Sequence, residues 1–206
     1  MKTAILGGSF DPIHNGHLSL AENVYLELAY EKIIFFPAFV SPFKQTSKPL
    51  SKEDRLNMLI LATENNPHFL VDDFELRKQG VSYTIETVEY CYKNYAIKGK
   101  LGLIIGADLL EKFYAWKDAK KLLSLVELIV GERPAKRTIV AGKKVPLEKK
   151  KKLKFSIPSF TQLKNESLQI SSSYIRAAIA ENKAWRYLVP EKIYDYIVNN
   201  GLYKNE

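Results

Sequence analysis

The segment GGSFDPIHNGHL, residues 7–18, decides the fold of this chain. It follows the short apolar run TAIL, residues 3–6, which is typical of a buried parallel strand. Apolar residues at helical spacing come next, from Leu18 to Ala29. The pattern predicts a strand, a tight glycine turn and the start of a helix. Such a turn directs backbone N–H groups and the positive end of the helix dipole toward one point, where a phosphate binds well.

Two histidines lie in this turn. His14 and His17 are three residues apart, so that near the start of a helix their rings share a face. Gly16 between them has no side chain, which lets a ligand approach the backbone. A Zn²⁺ pair is a second interpretation. It would need carboxylates as further ligands, because Cys91 is the only cysteine and His68 the only other histidine. We therefore expect an anion site.

The length and composition are typical of a soluble globular protein. We expect one domain over residues 1–206, with a main core at 1–135, a basic linker at 136–154 and a last strand with helices at 155–206. No apolar run reaches the length of a transmembrane helix, and the first apolar run is too short for a signal peptide. A single cysteine excludes an intrachain disulfide, which fits the reducing cytoplasm.

The net charge of +8 is concentrated in the basic linker. Residues 136–154 hold nine of the 31 basic residues and one of the 23 acidic residues, which leaves 22 of each sign elsewhere. Such a block is typical of a solvated connection, because like charges repel. Aromatic residues are not interleaved with the lysines, as they are in many nucleic-acid surfaces. We expect neither a nucleic acid nor a membrane as partner, although an RNA-binding role of this linker is an alternative.

Strands alternate with helices along the chain. The predicted strands are 3–6, 32–36, 69–71, 101–105, 126–130 and 155–157, and the predicted helices are 18–29, 51–63, 84–95, one or two within 109–123, 172–180 and 191–200. Pro37 is expected to end the second strand, and residues 82–84 to cap the helix that runs to about residue 95. This order predicts a Rossmann-like, doubly wound α/β fold, a parallel sheet flanked by helices, with a small C-terminal helical part. Ligands bind at the carboxyl edge of such a sheet, where the glycine turn, the loop 38–50, Asp108 and Arg133 would meet.

A second phosphate-binding candidate is ISSSYIR, residues 170–176. Serine hydroxyls at a helix start either cap the helix or turn toward an anion together with its N–H groups. Arg176 lies one turn beyond Ser173 and could bind phosphate oxygens with its guanidinium fork.

Residues 7–17 resemble the nucleotide-binding motif of the nucleotidyltransferase superfamily that shares histidine-x-glycine-histidine. The longer form, GG-S-FDP-x-H-x-GH, closely resembles the bacterial nicotinate-mononucleotide adenylyltransferases. Three further segments look like that family's: SYTIET at 82–87, IIGAD at 104–108 followed by Trp116, and ERP at 132–134. The segment ISSSYIR resembles ISST-x-IR, with Ser173 in place of threonine. The resemblance covers nearly the whole chain.

This resemblance implies transfer of an adenylyl group from ATP to nicotinate mononucleotide in NAD biosynthesis, with release of pyrophosphate. It implies that His14, His17 and Arg176 are catalytic and that Mg²⁺ is carried by the ATP phosphates without direct protein ligands. The residues that it assigns to ATP are Gly8, Ser9, Phe10, His17, Gly106, Asp108, Ser172, Ser173 and Arg176.

The resemblance also implies a site for the mononucleotide. Trp116 would stack on the pyridine ring and Tyr83 and Thr84 would border its carboxylate, while Lys44 and Arg133 belong to the same set. Without the resemblance, Trp116 is a core residue and Tyr83 a half-buried helix start. One departure is Phe43, where the family often has histidine.

Three alternatives remain at the level of sequence. The acceptor could be nicotinamide mononucleotide, phosphopantetheine or glycerol phosphate, since related enzymes share the histidine motif. A nucleotide sensor would bind ATP and release no pyrophosphate. An RNA-binding module would act through the basic linker. The sequence does not indicate an oligomeric state.

Overall fold

The structure is a computed structural model that describes residues 1–42, 49–131, 139–140, 143–144, 159–163, 168 and 170–204. Several sequence predictions fall outside these residues, namely those for Phe43, Lys44, Arg133, the lysine run 149–152 and the strand 155–157. The boundaries of the three predicted parts of the chain stay a prediction.

A parallel sheet is the centre of the fold. The strands are β1 (Thr3–Gly8), β2 (Lys32–Pro37), β3 (Phe69–Val71), β4 (Leu101–Gly106), β5 (Val126–Gly131), β6 (Ile139–Val140), β7 (Lys143–Lys144) and β8 (Thr161–Gln162). Six of them form one sheet in the order β3-β2-β1-β4-β5-β8, and every neighbouring pair is parallel. The remaining two, β6 and β7, pair antiparallel within the basic linker. The predicted parallel α/β fold is confirmed.

Helices follow most of these strands. They are α1 (Asn15–Leu28), α2 (Lys52–Thr63), α3 (Phe74–Lys78), α4 (Thr84–Asn94), α5 (Ala107–Leu110), α6 (Ala119–Leu125), α7 (Ser172–Ala180) and α8 (Glu191–Asn199). Short 3₁₀ turns lie at Phe113–Ala115 and Arg186–Leu188. The short α3 was not predicted, because five residues are too few to show a helical period. No helix in the described part of the chain is both long and apolar enough to cross a membrane.

Two local details differ from the sequence predictions. The second strand does end at Pro37, but the proline itself is the last residue of β2 and lies opposite Gly8. The proline is tolerated because the hydrogen bond to the Gly8 carbonyl comes from the N–H of Ala38, at 2.8 Å. Residues 82–84 were expected to cap the next helix, but α4 begins at Thr84 and no side chain caps it.

The sheet divides the core into two layers. Successive residues of a strand point to opposite faces, so that Leu6 contributes to one apolar cluster and Ile5 to the other. Helices α1, α2, α7 and α8 cover the first face, and α4 and α6 cover the second. Cys91 on α4 is fully buried in the second layer, as expected for a packed side chain. The carboxyl edge of the sheet is therefore accessible between helices from both layers.

Candidate functional site

The turn after β1 has an unusual backbone. Phe10 has a left-handed φ of 46°, a conformation that is costly for a residue with a side chain, and the Asp11–Pro12 peptide bond is cis. The Phe10 ring is fully buried, with its centroid 5.1 Å from that of His17 and 5.9 Å from that of Phe35. Burial of this ring holds the turn in shape and supports the histidine beside it.

The two histidines lie together, as predicted. His14 is the N-cap residue of α1, and its carbonyl accepts a hydrogen bond from the N–H of His17 at 2.9 Å. The imidazole rings are stacked with centroids 3.6 Å apart. A Cβ atom on Gly16 would lie 3.1 Å from Cε1 and Nδ1 of His14. The glycine is therefore needed to make room for the His14 ring.

Three successive serines at the start of α7 make three different contacts. The Ser171 hydroxyl oxygen caps the helix by accepting from the N–H of Tyr174 at 3.2 Å. The Ser172 hydroxyl donates to the Pro12 carbonyl at 2.9 Å. Ser173 is exposed, and its hydroxyl accepts from Arg176 at 3.5 Å. One of the three therefore attaches α7 to the turn after β1.

Arg176 joins the same turn. Its Nη1 donates to the Asp11 carbonyl at 2.6 Å and lies 3.8 Å from the Asp11 carboxylate. The other carboxylate oxygen of Asp11 accepts from the Tyr203 hydroxyl at 2.8 Å. Burial, and then the charge of Asp11, raise the pKa of the Tyr203 phenol. Segments near both ends of the chain are thus held together around Asp11.

A buried arginine stabilises the turn after β1 by donating to backbone carbonyls around it. Arg55 on α2 is 1% exposed, and its Nη1 donates to the carbonyls of Ser9 at 2.8 Å and Ala38 at 2.7 Å, while Nε donates to that of Leu50 at 3.2 Å. Burial lowers the pKa of this guanidinium, and the charge of Asp11 opposes that shift. Arg55 was not predicted from the sequence, because an arginine in an amphipathic helix usually faces solvent.

Residues of the second layer form the other end of the site. The Tyr83 ring lies beneath the ammonium of Lys117, whose Nζ is 4.4 Å from the ring centroid. Trp116 is half-buried and stacks on the fully buried Phe113, with centroids 5.0 Å apart. Two aromatic rings therefore lie at this end of the site, Tyr83 at the start of α4 and Trp116 just before α6.

A single cavity joins the two ends. Its volume is about 970 Å³, at the upper end of the range of small-molecule sites. Every predicted site residue within the described ranges lines it: Gly8, Ser9, Phe10, His14, His17, Tyr83, Thr84, Gly106, Asp108, Trp116, Ser172, Ser173 and Arg176. Lys44 and Arg133 lie outside the described residues. Asp11 and Tyr203 were not predicted as site residues; Asp11 lies within the FDP part of the first motif, whereas no local pattern marks Tyr203.

The described residues do not include a group of three or more His, Cys, Asp or Glu side chains that could hold a metal ion. A metal carried on a bound polyphosphate would need few protein ligands.

Comparisons with known proteins find one matching family and similar chains. The profile of the cytidylyltransferase-like family matches residues 5–178. A protein of Treponema pallidum named "Probable nicotinate-nucleotide adenylyltransferase" is 38% identical over 208 residues, covering 100% of both chains. A Thermoanaerobacter protein of the same name is 37% identical over 206 residues, covering 100% of this chain and 96% of its own.

A solved structure has the same fold. The Plasmodium falciparum nicotinic acid mononucleotide adenylyltransferase complexed with NaAD superimposes with a TM-score of 0.72, and 98% of each chain is covered. The two sequences are 19% identical.

Proposed function

The chain belongs to the cytidylyltransferase-like family and, within it, to the nicotinate-nucleotide adenylyltransferases, and from this membership we propose that it transfers the adenylyl group of ATP to nicotinate mononucleotide in NAD biosynthesis. One structural observation supports the proposal independently of the relatives' names. The stacked histidines, Arg176 and two aromatic side chains line one cavity that is large enough for two nucleotides.

The reaction is an in-line displacement at phosphorus. An oxygen of the mononucleotide 5′-phosphate attacks the α-phosphorus of ATP, the bond from that phosphorus to the bridging oxygen of the β-phosphate breaks, and pyrophosphate leaves. A phosphate monoester has a second pKa of about 6 and is largely a dianion at neutral pH, so that the attack needs no general base. The protein acts by aligning the two nucleotides and stabilising the charge that develops.

His14 and His17 would contact the α- and β-phosphates and the departing pyrophosphate. Their rings lie at the start of α1, where the helix dipole adds positive potential. Arg176 and Ser173 would hold the β- and γ-phosphates from α7. The hydroxyl of Ser172 already donates to Pro12, so that Ser172 would contribute to the phosphate site mainly through the N–H groups of the helix start.

Mg²⁺ would enter as part of the ATP substrate. There the phosphate oxygens would hold it, because Mg²⁺ bound to a polyphosphate needs few direct protein ligands. Bound there, the ion would neutralise negative charge on the triphosphate.

The mononucleotide would occupy the end of the cavity that Tyr83, Thr84 and Trp116 line. Trp116 would stack on the pyridine ring. A carboxylate only accepts hydrogen bonds, whereas a carboxamide also donates, so that backbone N–H groups at the start of α4 would favour the acid. Lys44 and Arg133 would add positive charge to this end, and Gly8, Ser9, Phe10, Gly106 and Asp108 would border ATP. We place the protein in the cytoplasm, where its single buried thiol needs no partner.

A coupled pyrophosphate assay tests the proposal. The protein is given ATP and Mg²⁺ with nicotinate mononucleotide, nicotinamide mononucleotide or phosphopantetheine. We expect the highest kcat/KM with nicotinate mononucleotide and formation of the dinucleotide. A preference for another acceptor contradicts the assigned substrate, and ATP binding without pyrophosphate release from any acceptor indicates a sensor.

Substitution of His17 tests the assigned chemistry. His17→Ala removes a donor that would stabilise developing charge, and such losses lower kcat by about 10² to 10³. His68→Ala is the matched control, because His68 stacks on Tyr25 away from the cavity. Turnover of His17→Ala close to that of His68→Ala would reject the role.

A further inference from the structure

A buried carboxylate lies at the aromatic end of the cavity. Glu75 on α3 lines the cavity and is 6% exposed. No ion pair to this carboxylate occurs among residues that the structure describes. Burial raises the pKa of Glu75, because a charge is costly in a poorly solvated position. An apolar side chain of similar volume is often at least as stabilising as a buried charged one. Packing alone therefore does not explain a carboxylate at this position.

Two hydroxyls favour the charged form of Glu75. Thr87 on α4, itself 2% exposed, donates to Oε1 at 2.5 Å. Ser82 is near enough that its hydroxyl opposes the rise in the Glu75 pKa, since a carboxylate only accepts hydrogen bonds and a neighbouring hydroxyl can donate to it. The Ser82 oxygen in turn accepts from the N–H of Phe39 at 3.0 Å.

These contacts join three pieces of chain. The N–H of Ser82 donates to the Val40 carbonyl at 2.9 Å, and Val40 also forms a parallel β-bridge with Val81. Glu75 thus ties α3 and α4 to the segment that leaves β2. Phe39, Val40, Ser82 and Thr87 all line the cavity together with Glu75. Arg176 lies on α7, in the other layer, where it binds the Asp11 carbonyl.

We propose that Glu75 is a positioning residue for the mononucleotide: through Ser82 and Thr87 its carboxylate fixes the start of α4 against the Phe39–Val40 segment, and so sets the shape of the ring-binding end of the cavity. The inference rests on the proposed function for the identity of the ligand. It predicts an effect on one substrate and none on the other, because ATP binds at the opposite end.

Steady-state kinetics of Glu75→Gln tests the inference. Glutamine keeps the size of the side chain but replaces one acceptor with an NH₂ donor, so that one hydroxyl loses its partner. A hydrogen bond to a charged group contributes enough that its loss raises KM for nicotinate mononucleotide about tenfold or more. We expect KM for ATP to stay within about twofold. Thr87→Val removes the hydroxyl that donates to Glu75. It should likewise raise KM for nicotinate mononucleotide and leave KM for ATP nearly unchanged.

Two matched controls distinguish a positioning effect on one substrate from a general loss of structure that would affect both. Glu89→Gln makes the same change in a glutamate of α4 that pairs with Lys121. Thr63→Val removes a buried hydroxyl that only donates within α2, to the Leu59 carbonyl. Neither residue lines the cavity, and neither control should change the ratio of the two KM values. An equal change in both KM values of Glu75→Gln, or an unchanged KM for the mononucleotide, would overturn the inference.

Amide hydrogen exchange gives a readout that needs no substrate. The amides of Phe39 and Ser82 should exchange about tenfold faster in Glu75→Gln than in the wild type, and should be unchanged in Glu89→Gln. Unchanged exchange overturns the positioning role whatever the activity. If the wild type does not adenylylate nicotinate mononucleotide, the proposed function fails, and this measurement still decides whether Glu75 shapes that end of the cavity.

Discussion

At the scale of single residues, Gly16 is the position whose change has the clearest expected effect. It lies in the first turn of α1, where alanine would ordinarily stabilise the helix by up to about 1 kcal/mol. Its Cβ would lie 3.1 Å from the His14 ring, so that the ring must shift by a few tenths of an ångström. We expect Gly16→Ala to lower kcat at least about tenfold, because small misplacements of catalytic groups are costly.

The stability of Gly16→Ala separates this effect from unfolding. Thermal denaturation should give a Tm close to that of the wild type. Glu27→Ala, on the exposed side of the same helix, is the control for helix propensity and should keep full activity. A Gly16→Ala enzyme with wild-type kcat would show that the histidine stack tolerates displacement.

Glu75 makes stability depend on pH in a predictable direction. Burial raises its pKa above 4.5, while hydrogen bonds from Thr87 and Ser82 and the charge of Lys78 oppose the shift and Glu86 adds to it. A raised carboxyl pKa means that the folded state binds the proton more tightly than the unfolded chain. The associated stability is present below about pH 4.5 and is lost as the pH rises through the raised pKa.

The measurement is a difference between two proteins. The free energy of unfolding of Glu75→Gln, minus that of the wild type, should increase from about pH 4 to pH 7, since only the wild type acquires the buried charge. A difference that falls over this range would mean that the hydrogen bonds to the ionised form outweigh burial.

The sequence allowed prediction of residues whose role is local. His14 and His17 are three positions apart, and the serines that precede α7 are consecutive, so that their grouping is visible without a structure. Arg55 and Tyr203 contact partners 46 and 192 positions away. Contacts at such separations depend on how helices pack on the sheet, which no local pattern encodes.

At the scale of elements, the start of α7 carries a prediction. Ser171→Ala removes the helix cap and should lower the free energy of unfolding by about 1 kcal/mol. Ser51→Ala is the matched control, because Ser51 caps α2 by accepting from the Asp54 N–H at 3.0 Å and does not line the cavity. We expect equal losses of stability, measured by urea unfolding, and a raised KM for ATP in Ser171→Ala alone.

Equal kinetics in the two cap variants would contradict this expectation, because the start of α7 would then have no special part in ATP binding.

Most elements were predictable, since each strand is a short apolar run and each longer helix has a clear period. The start of α4 was predicted at the right place, but the predicted caps do not form. The Ser82 hydroxyl oxygen accepts from the N–H of Phe39 and lies near Glu75, so that contacts with other segments replace the cap.

At the scale of the whole molecule, Tyr203 couples distant parts of the chain. Tyr203→Phe leaves Asp11 without the hydrogen bond from the phenol and should lower the free energy of unfolding by about 1 to 3 kcal/mol. Because Asp11 also holds Arg176, we expect KM for ATP to rise several-fold and KM for the mononucleotide to stay unchanged.

Tyr95→Phe is the control for this variant. Its hydroxyl likewise donates to an aspartate, Asp72 at 2.5 Å, but in the other layer and away from the cavity. It should lose stability without a change in either KM. If the two variants behave alike, Tyr203 stabilises the fold and does not act on the site.

The bond between Tyr203 and Asp11 also bears on how the enzyme matures during synthesis. The turn after β1 is synthesised before the tyrosine that binds it, which lies 192 positions further along the chain. A nascent chain that still lacks residue 203 would have the glycine turn, both histidines and the bond from Arg176 to the Asp11 carbonyl, but not the bond that fixes the Asp11 carboxylate. The site would thus reach its final geometry only after α8 has been synthesised.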